Sequence, residues 1–182
     1  MKNTFIVLAE GFEEIEAITV IDILRRLKIR CDICGLNTIH VKGAHGIELK
    51  VDNIFSQMDF NEYDVLILPG GMPGADNLKS DRRLIDLLVK YNDEGKLIAA
   101  ICAAPIVLKE AGIIKGKKIT SFPACRPEFT ESIYFEAPAV QDNNIITGRG
   151  PGAAAEFAFM IAGNIIGQDI VKALEKTMVS IT

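Results

Sequence analysis

Cys102 is the residue of this sequence best placed to act as a nucleophile. It follows the apolar run Leu97–Ile101, which predicts a buried strand. It precedes Pro105, which suits the first turn of a helix because its missing N–H would have no partner there. A thiol on such a strand-to-helix turn faces the free N–H groups of the helix, whose positive end favours a thiolate. A small buried cysteine that only fills space explains this stretch equally well.

Glu16 is a second candidate, because it interrupts an apolar helix face. The pattern predicts a helix that begins near Glu13 and reaches Leu27, and Glu16 falls beside Val20 and Ile23 on its apolar side. A carboxylate directed at a core is costly unless it is paired or protonated. Fraying of the first turn would let it reach water, but the position within the apolar arc favours a functional carboxyl.

Glycines follow the predicted strand Tyr63–Leu68, in the stretch Pro69–Gly74. Their spacing matches neither the dinucleotide-binding pattern GxGxxG nor the phosphate-binding loop with its lysine. Glycines after a strand do allow backbone N–H groups to approach a reacting group closely, as an oxyanion hole requires. Because the carboxyl ends of parallel strands meet at one edge of a sheet, this stretch, Glu10–Glu16 and Cys102–Pro105 are expected to share one crevice.

The remaining cysteines and the two histidines give weaker signals. Cys31 and Cys34 form the pattern CxxC, but residues three apart on a strand point to opposite faces, so we interpret both as packing residues. Cys125 lies in an irregular stretch and is expected to be exposed. His40 is interpreted as structural, and His45, on a predicted turn, as exposed or bordering a cleft.

Apolar strands alternate with helical patterns along the chain, which predicts an α/β fold with a mostly parallel sheet covered by helices on both faces. The predicted strands are Phe5–Ala9, Arg30–Leu36, two short strands within Thr38–Val51, Tyr63–Leu68, Leu97–Ile101, Ile119–Ser121 and edge-strand material within Ala139–Thr147. The later predicted helices run to about Asn92, from Pro105, after Gly152 and from Asp169.

The composition limits the class of protein. The chain has 182 residues, 49% of them hydrophobic, which predicts a single domain over residues 1–182. A net charge of -4 argues against nucleic acid as a partner. The short apolar run near the N-terminus meets acidic residues at once, so we expect neither a signal peptide nor a membrane span. Four cysteines without an export signal suggest free thiols in the cytoplasm.

Four motifs in register resemble the ThiJ/PfpI superfamily, in the branch of the Parkinson-disease-associated protein and the bacterial YajL-like proteins. They are AEGFEEIEA, LPGGMPGADNL, AAICAAP and TGRGPGAAAEFA. The resemblance implies a flavodoxin-like three-layer sandwich, as in class I glutamine amidotransferases, and a homodimer. It also implies Cys102 as nucleophile, Glu16 as the protonated carboxyl that hydrogen-bonds the sulfur, and the N–H groups of Gly71 and Ala103 as the oxyanion hole. Such a site would lower the pKa of the thiol below the ~8.5 of a free cysteine.

Further positions that the resemblance places at the substrate site are Gly70, His45 and Pro151. Three departures affect the chemistry. The proteases of the superfamily carry a histidine where this chain has Ala103. A histidine of the branch is replaced here by Phe122, as in the YajL-like proteins. An arginine usual after the second strand is replaced by His45.

The resemblance implies an enzyme that acts on methylglyoxal-like dicarbonyls or on early glycation adducts of proteins, a glutathione-independent glyoxalase or deglycase. No cofactor or metal is expected. The alternative is a redox sensor or chaperone that uses oxidation of Cys102. A cysteine amidase or protease is less favoured, because the histidine of a Cys–His dyad is missing from both usual positions.

Overall fold

A seven-stranded sheet forms the centre of the protein. The computed structural model describes residues 2–178, and within this range eleven strands are present. They are β1 Thr4–Leu8, β2 Cys31–Gly35, β3 His40–Lys42, β4 Glu48–Lys50, β5 Asn53–Ile54, β6 Val65–Leu68, β7 Leu97–Ile101, β8 Lys118–Ile119, β9 Ile133–Tyr134, β10 Ala139–Asp142 and β11 Ile145–Gly148.

The strand order of the central sheet is β10-β11-β7-β6-β1-β2-β5. Every neighbouring pair is parallel except β10 with β11. β3 and β4 form a separate antiparallel hairpin, and β8 and β9 a short parallel pair. The mostly parallel sheet predicted from the apolar strands is therefore confirmed. It brings the carboxyl ends of β1, β6 and β7, three adjacent strands, to one edge.

Helices cover both faces of this sheet, as the alternating pattern predicts. They are α1 Glu14–Arg26, α2 Gly74–Ser80, α3 Arg82–Asp93, α4 Pro105–Glu110, α5 Ala154–Ile166 and α6 Gln168–Thr177, with 3-10 turns at Phe55–Gln57, Phe60–Glu62, Pro123–Glu128 and Pro151–Ala153. α1, α5 and α6 pack on one face, and α2, α3 and α4 on the other. Within residues 2–178 no helix combines the length and the apolar character needed to cross a bilayer.

Alternation along the strands divides the apolar side chains between two cores. In β1, Phe5 belongs to the core under α2 to α4 and Ile6 to the core under α1 and α5, and both are fully buried. The same alternation separates Cys31 from Cys34, which lie in different cores. The interpretation of the CxxC pattern as two packing residues is confirmed. Burial raises the pKa of Cys31 to about 11 and that of Cys34 to about 12.

Two elements differ from the sequence prediction. The helix predicted to run to about Asn92 is α3, but a separate helix, α2, precedes it. Asp81 leaves the helical conformation between the two and caps α3 by accepting hydrogen bonds from the N–H groups of Arg83 and Leu84. The edge-strand material of 139–147 is a hairpin, in which only β10 is an edge strand. β11 lies inside the sheet beside β7, and its four residues are all buried.

Candidate active site

Cys102 occupies a strained turn between β7 and α4. Its φ of 65° lies in the left-handed region that few residues other than glycine adopt, so the surrounding contacts must hold it there. Its N–H donates to the carbonyl of Gly148 at 2.9 Å, and its carbonyl accepts from the N–H of Phe122 at 2.8 Å. The residue is 8% exposed. The strand-to-helix turn inferred from the sequence is present, and the residue retains a small exposed surface.

Glu16 is fully buried in the first turn of α1, where the helical pattern predicts it to face the core. Its Oε2 accepts a hydrogen bond from the N–H of Gly70 at 2.7 Å, while Oε1 has no partner among the described residues in hydrogen-bond geometry. The Cys102 side chain lies close enough to the carboxyl to act on its titration. Burial raises the pKa of Glu16 to about 7, against the opposite effects of Cys102 and the Gly70 N–H.

The thiol does not titrate as the sequence predicts. Burial raises the pKa of Cys102, and the negative charge of an ionised Glu16 raises it further. The N–H groups of Ala103 and Gly71 act on the sulfur in the opposite direction without outweighing these effects. The expectation of a pKa below that of a free cysteine is wrong, because burial, the largest of these effects, does not depend on the charge of Glu16. Burial thus raises the pKa of both groups, and because the two side chains lie together, the titration of each depends on the other.

Gly70 and Gly71 are glycines for steric reasons. A Cβ on Gly70 would lie 2.7 Å from the Cβ of Cys102 and 2.8 Å from Oε2 of Glu16. Gly71 has a φ of 89°, and a Cβ there would lie 2.3 Å from the backbone nitrogen of Glu13. The loop after β6 therefore fits directly between the nucleophile turn and the start of α1. This close fit brings the N–H groups of Gly71 and Ala103 to the sulfur.

A cavity of about 560 Å³ opens at Cys102. Of the residues predicted at the site, Cys102, Gly71, Ala103 and Pro151 line it. Gly70 and the fully buried Glu16 do not line it. The other lining residues are Glu13, Met72, Asp76, Lys79, Ile106, Phe122, Ala124, Cys125 and Glu128. The wall combines apolar side chains with several acidic ones. It includes Phe122, where the family resemblance leads one to expect a histidine, and the partly exposed Cys125.

His45 does not line this cavity, although the resemblance places it at the substrate site. Its Nδ1 lies 2.9 Å from Oε2 of Glu14, and its N–H donates to Oε1 of Glu14 at 2.7 Å. Burial raises the pKa of Glu14, but these hydrogen bonds and one from Ile47 outweigh it, so that the pKa is lowered overall. Hydrogen bonding to Glu14 raises the pKa of His45. The contacts fasten the β3–β4 hairpin to the start of α1.

The role of Glu14 is a feature that sequence reasoning missed. Acidic residues at a helix start are explained by the helix dipole alone, so Glu14 gave no separate signal. His45 pairs with Glu14 across 31 residues of sequence, so no local pattern indicates this contact. Glu13, Glu14 and His45 also place three possible metal-ligand atoms within 4.8 Å of one another. Since the oxygens of Glu14 already accept three hydrogen bonds, we assign this group a structural role.

Fold and site together define an α/β protein of the flavodoxin-like class with a cysteine on a strand-to-helix turn. Residues 2–163 match the model of the DJ-1/PfpI family, and the chain belongs to this family. It is 38% identical to "Protein dj-1beta" of Drosophila melanogaster over 178 residues, which cover 96% of this chain and 95% of that protein.

Solved structures give the same assignment. The crystal structure of Drosophila melanogaster DJ-1beta superposes with a TM-score of 0.95 at 36% identity, covering 100% of this chain and 99% of that one. A structure described as "Toxoplasma gondii DJ-1, oxidized" superposes with a TM-score of 0.94 at 31% identity, covering 98% of both chains. The superfamily resemblance of the four sequence motifs is therefore confirmed.

The close fit around Gly70 predicts a local steric effect. Gly70→Ala should lower the free energy of unfolding by about 1–3 kcal/mol, because the added methyl group overlaps both Cys102 and Glu16. Chemical denaturation measures this change. Gly152→Ala is the matched control, since a Cβ at Gly152 meets no atom within 4 Å. Equal stabilities of the two variants would contradict the close fit.

The raised pKa of Glu16 predicts a pH-dependent stability. The folded protein holds this proton up to a pKa of about 7, whereas an unfolded glutamate releases it near 4.5, so the contribution of Glu16 falls as the pH rises between these values. Relative to wild type, Glu16→Gln should gain about 3 kcal/mol of unfolding free energy between pH 5 and pH 8. Denaturation at both pH values tests this. Cys102→Ser, which retains the carboxyl, should follow the wild-type trend, and parallel curves for Glu16→Gln and wild type would contradict the prediction.

Proposed function

We propose that this protein is a cysteine-dependent enzyme that converts methylglyoxal-like dicarbonyls to 2-hydroxy acids without glutathione, metal or cofactor. The observation that carries the proposal is a buried carboxyl with a pKa of about 7 beside a cysteine at the base of a cavity. A group that titrates near the working pH is suited to both accept and donate protons. Release of early glycation adducts from proteins, a deglycase activity, would begin with the same addition step.

The first step is addition of the Cys102 sulfur to the aldehyde carbon. Because the pKa of the thiol is raised next to an ionised Glu16, the carboxylate acts as base and takes the thiol proton while the carbon–sulfur bond forms. The carbonyl electron pair moves to oxygen, and the N–H groups of Gly71 and Ala103 stabilise the alkoxide. The proton held by Glu16 then passes to the alkoxide, which gives a hemithioacetal and regenerates the carboxylate.

The second stage moves a proton between adjacent carbons. Glu16 removes the proton from the former aldehyde carbon, and the electron pair moves to the neighbouring carbonyl oxygen. This oxygen takes the proton of the hydroxyl on the former aldehyde carbon, so that the enediol is the intermediate and the thioester carbonyl can form. The same carboxyl returns its proton to the neighbouring carbon. The product is a thioester of a 2-hydroxy acid on Cys102. Water hydrolyses it to the acid and the free thiol, lactate in the case of methylglyoxal. Burial of Glu16 keeps its proton from exchanging freely with solvent during this transfer.

We further propose that the protein acts in the cytoplasm as a homodimer. The free cysteines suit a reducing compartment. Ile15 and Ile18 of α1 and Ile47 of the adjoining hairpin are 56%, 41% and 51% exposed, which supports an apolar contact with a second copy. Sedimentation equilibrium should give twice the chain mass for wild type and a lower mass for Ile18→Asp. A monomeric wild type would refute the dimer.

The second candidate function is redox sensing or a chaperone role through oxidation of Cys102. Its support is the small exposed surface of Cys102 and the similarity to a structure described as oxidised. A cysteine amidase or protease is less well supported, because neither His40 nor His45 lines the cavity among the described residues.

Turnover of methylglyoxal by the purified protein tests the proposal. Wild type should form lactate without glutathione, and Cys102→Ser should lose this activity. Glu16→Gln should lower kcat/KM by about 10²–10⁴-fold, the contribution of a general acid–base group. Cys125→Ser, which removes the other thiol of the cavity, is the control and should retain turnover. Absence of Cys102-dependent lactate formation would refute the glyoxalase and favour the redox function.

The pH profile separates two roles of Glu16. As a base, it must be ionised, so kcat/KM for methylglyoxal should rise with pH through about 7, the pKa of the carboxyl. As the donor of a hydrogen bond to a thiolate, it must be protonated, and the rate would fall over the same range. A falling or flat profile would therefore exclude the base role proposed for the addition step.

A further inference from the structure

Arg149 is a cationic side chain that the proposed chemistry does not use. Its side chain is 30% exposed, and its Nη1 is buried with no hydrogen-bond partner among residues 2–178. Within the same range the only carboxylate bound to it is Glu136, whose Oε2 lies 3.5 Å from Nη2, the long limit of a hydrogen bond. A guanidinium with five donors is thus left almost unpartnered, although its backbone N–H is held by the carbonyl of Pro138 at 2.9 Å.

The side chain borders a second cleft of about 500 Å³. This cleft shares Phe122 and Pro151 as walls with the cavity of Cys102, so the two spaces adjoin. The other side chains of its walls are largely apolar and include Pro123 and Pro138. The backbone also ties the two spaces together, because Arg149 directly follows the residue whose carbonyl binds the N–H of Cys102. A ligand could therefore extend from the sulfur along an apolar wall to a cation.

The charges favour an anion in this cleft. Glu136 is shared with Arg126, whose Nη1 lies 2.9 Å from Oε1, a shorter contact than the one to Arg149. Arg126 does not line the cleft, but its closer contact with Glu136 leaves the charge of Arg149 only weakly compensated. The cavity of Cys102 is lined by Glu13, Asp76 and Glu128 and by Lys79, and Glu128 is paired with Lys109 outside the lining, so an excess of negative charge remains. An acidic substituent is repelled from the cavity and attracted to the cleft beside it.

We propose that the Arg149 cleft binds the carboxylate of a substrate whose dicarbonyl end reacts at Cys102. The substrate class is then a 2-oxoaldehyde that carries a carboxylate at the far end of a short apolar chain. The bound carboxylate displaces the weak contact between Arg149 and Glu136 and pairs with the guanidinium. The identity of the substrate, though not the existence of the cleft, rests on the function proposed above.

Binding is measured first without chemistry. In the Cys102→Ser protein, 4-oxopentanoate and its methyl ester are titrated by NMR, since both lack the aldehyde and the added methyl group removes the negative charge. The acid should bind about tenfold more tightly than the ester, the value of one charge-assisted contact. Arg149→Gln should remove this preference. Glu136→Gln should increase it several-fold, because Arg149 then lacks its competing carboxylate. Lys115→Gln removes a positive charge outside both cavities and should leave the preference unchanged.

Turnover is measured next with 4,5-dioxopentanoate and its methyl ester. The ratio of kcat/KM for acid over ester should fall about tenfold in Arg149→Gln and rise in Glu136→Gln. Both substitutions remove one charge from the same ion pair. A fall of the kcat/KM ratio in Arg149→Gln and a rise in Glu136→Gln therefore exclude a merely structural role for Arg149. Homologues one and two methylene groups longer establish the chain length that spans the two sites.

The outcomes separate the two proposals. No preference for the acid in the binding titration, or equal preference in Arg149→Gln and Lys115→Gln, overturns the carboxylate cleft. A preference that depends on Arg149 without turnover of any dicarbonyl supports the cleft and refutes the glyoxalase. Turnover with equal acid-to-ester ratios in wild type and Arg149→Gln supports the glyoxalase and overturns the assignment of its substrate class.

Discussion

The hydrogen bond from the N–H of Gly70 to Glu16 is the interaction on which the rest of the site depends. A glutamate with no exposed surface must be protonated or paired, and this N–H is its one partner in hydrogen-bond geometry among the described residues. The contact joins the start of α1 to the loop after β6, and a Cβ at Gly70 would overlap both Glu16 and Cys102. This hydrogen bond thereby helps to hold the ends of β1, β6 and β7 close to one carboxyl and one sulfur.

This arrangement strains the backbone at Cys102. A cysteine at φ 65° is strained, and the strain is sustained by groups that lie on other elements: Gly148 at the end of β11 and Phe122 after β8. The position of β11 inside the sheet, next to β7, is therefore a requirement of the site as well as of the fold. Phe122 also borders the second cleft, together with Arg149, which directly follows Gly148. The elements that hold the nucleophile also form the space beside it.

The sequence predicted the features that depend on a local pattern, but not those that depend on contacts between residues far apart in the chain. Apolar runs of β1, β6 and β7 predicted the parallel sheet, and the helical period alone directed Glu16 towards the core. The cap at Asp81 was missed because a helical pattern continues through it, and the interior position of β11 depends on pairing across more than forty residues. The pairing of His45 with Glu14 likewise joins residues 31 apart. The pKa of the thiol was predicted with the wrong sign because the helix start was weighed without the burial of the sulfur.

The raised thiol pKa accounts for the absence of a histidine better than a lowered one would. A permanently ionised thiolate needs a cationic partner, the role that histidine has in a Cys–His dyad, and among residues 2–178 neither histidine borders the cavity. In the reaction proposed above, a neutral thiol needs a base instead, and a carboxyl whose pKa is about 7 is suited to this role without a cation. In such a reaction neither the position of Phe122 nor that of Ala103 requires a histidine. For the acidic substrate that we propose, the cationic partner is Arg149, in the cleft that shares Phe122 and Pro151 with the cavity of Cys102.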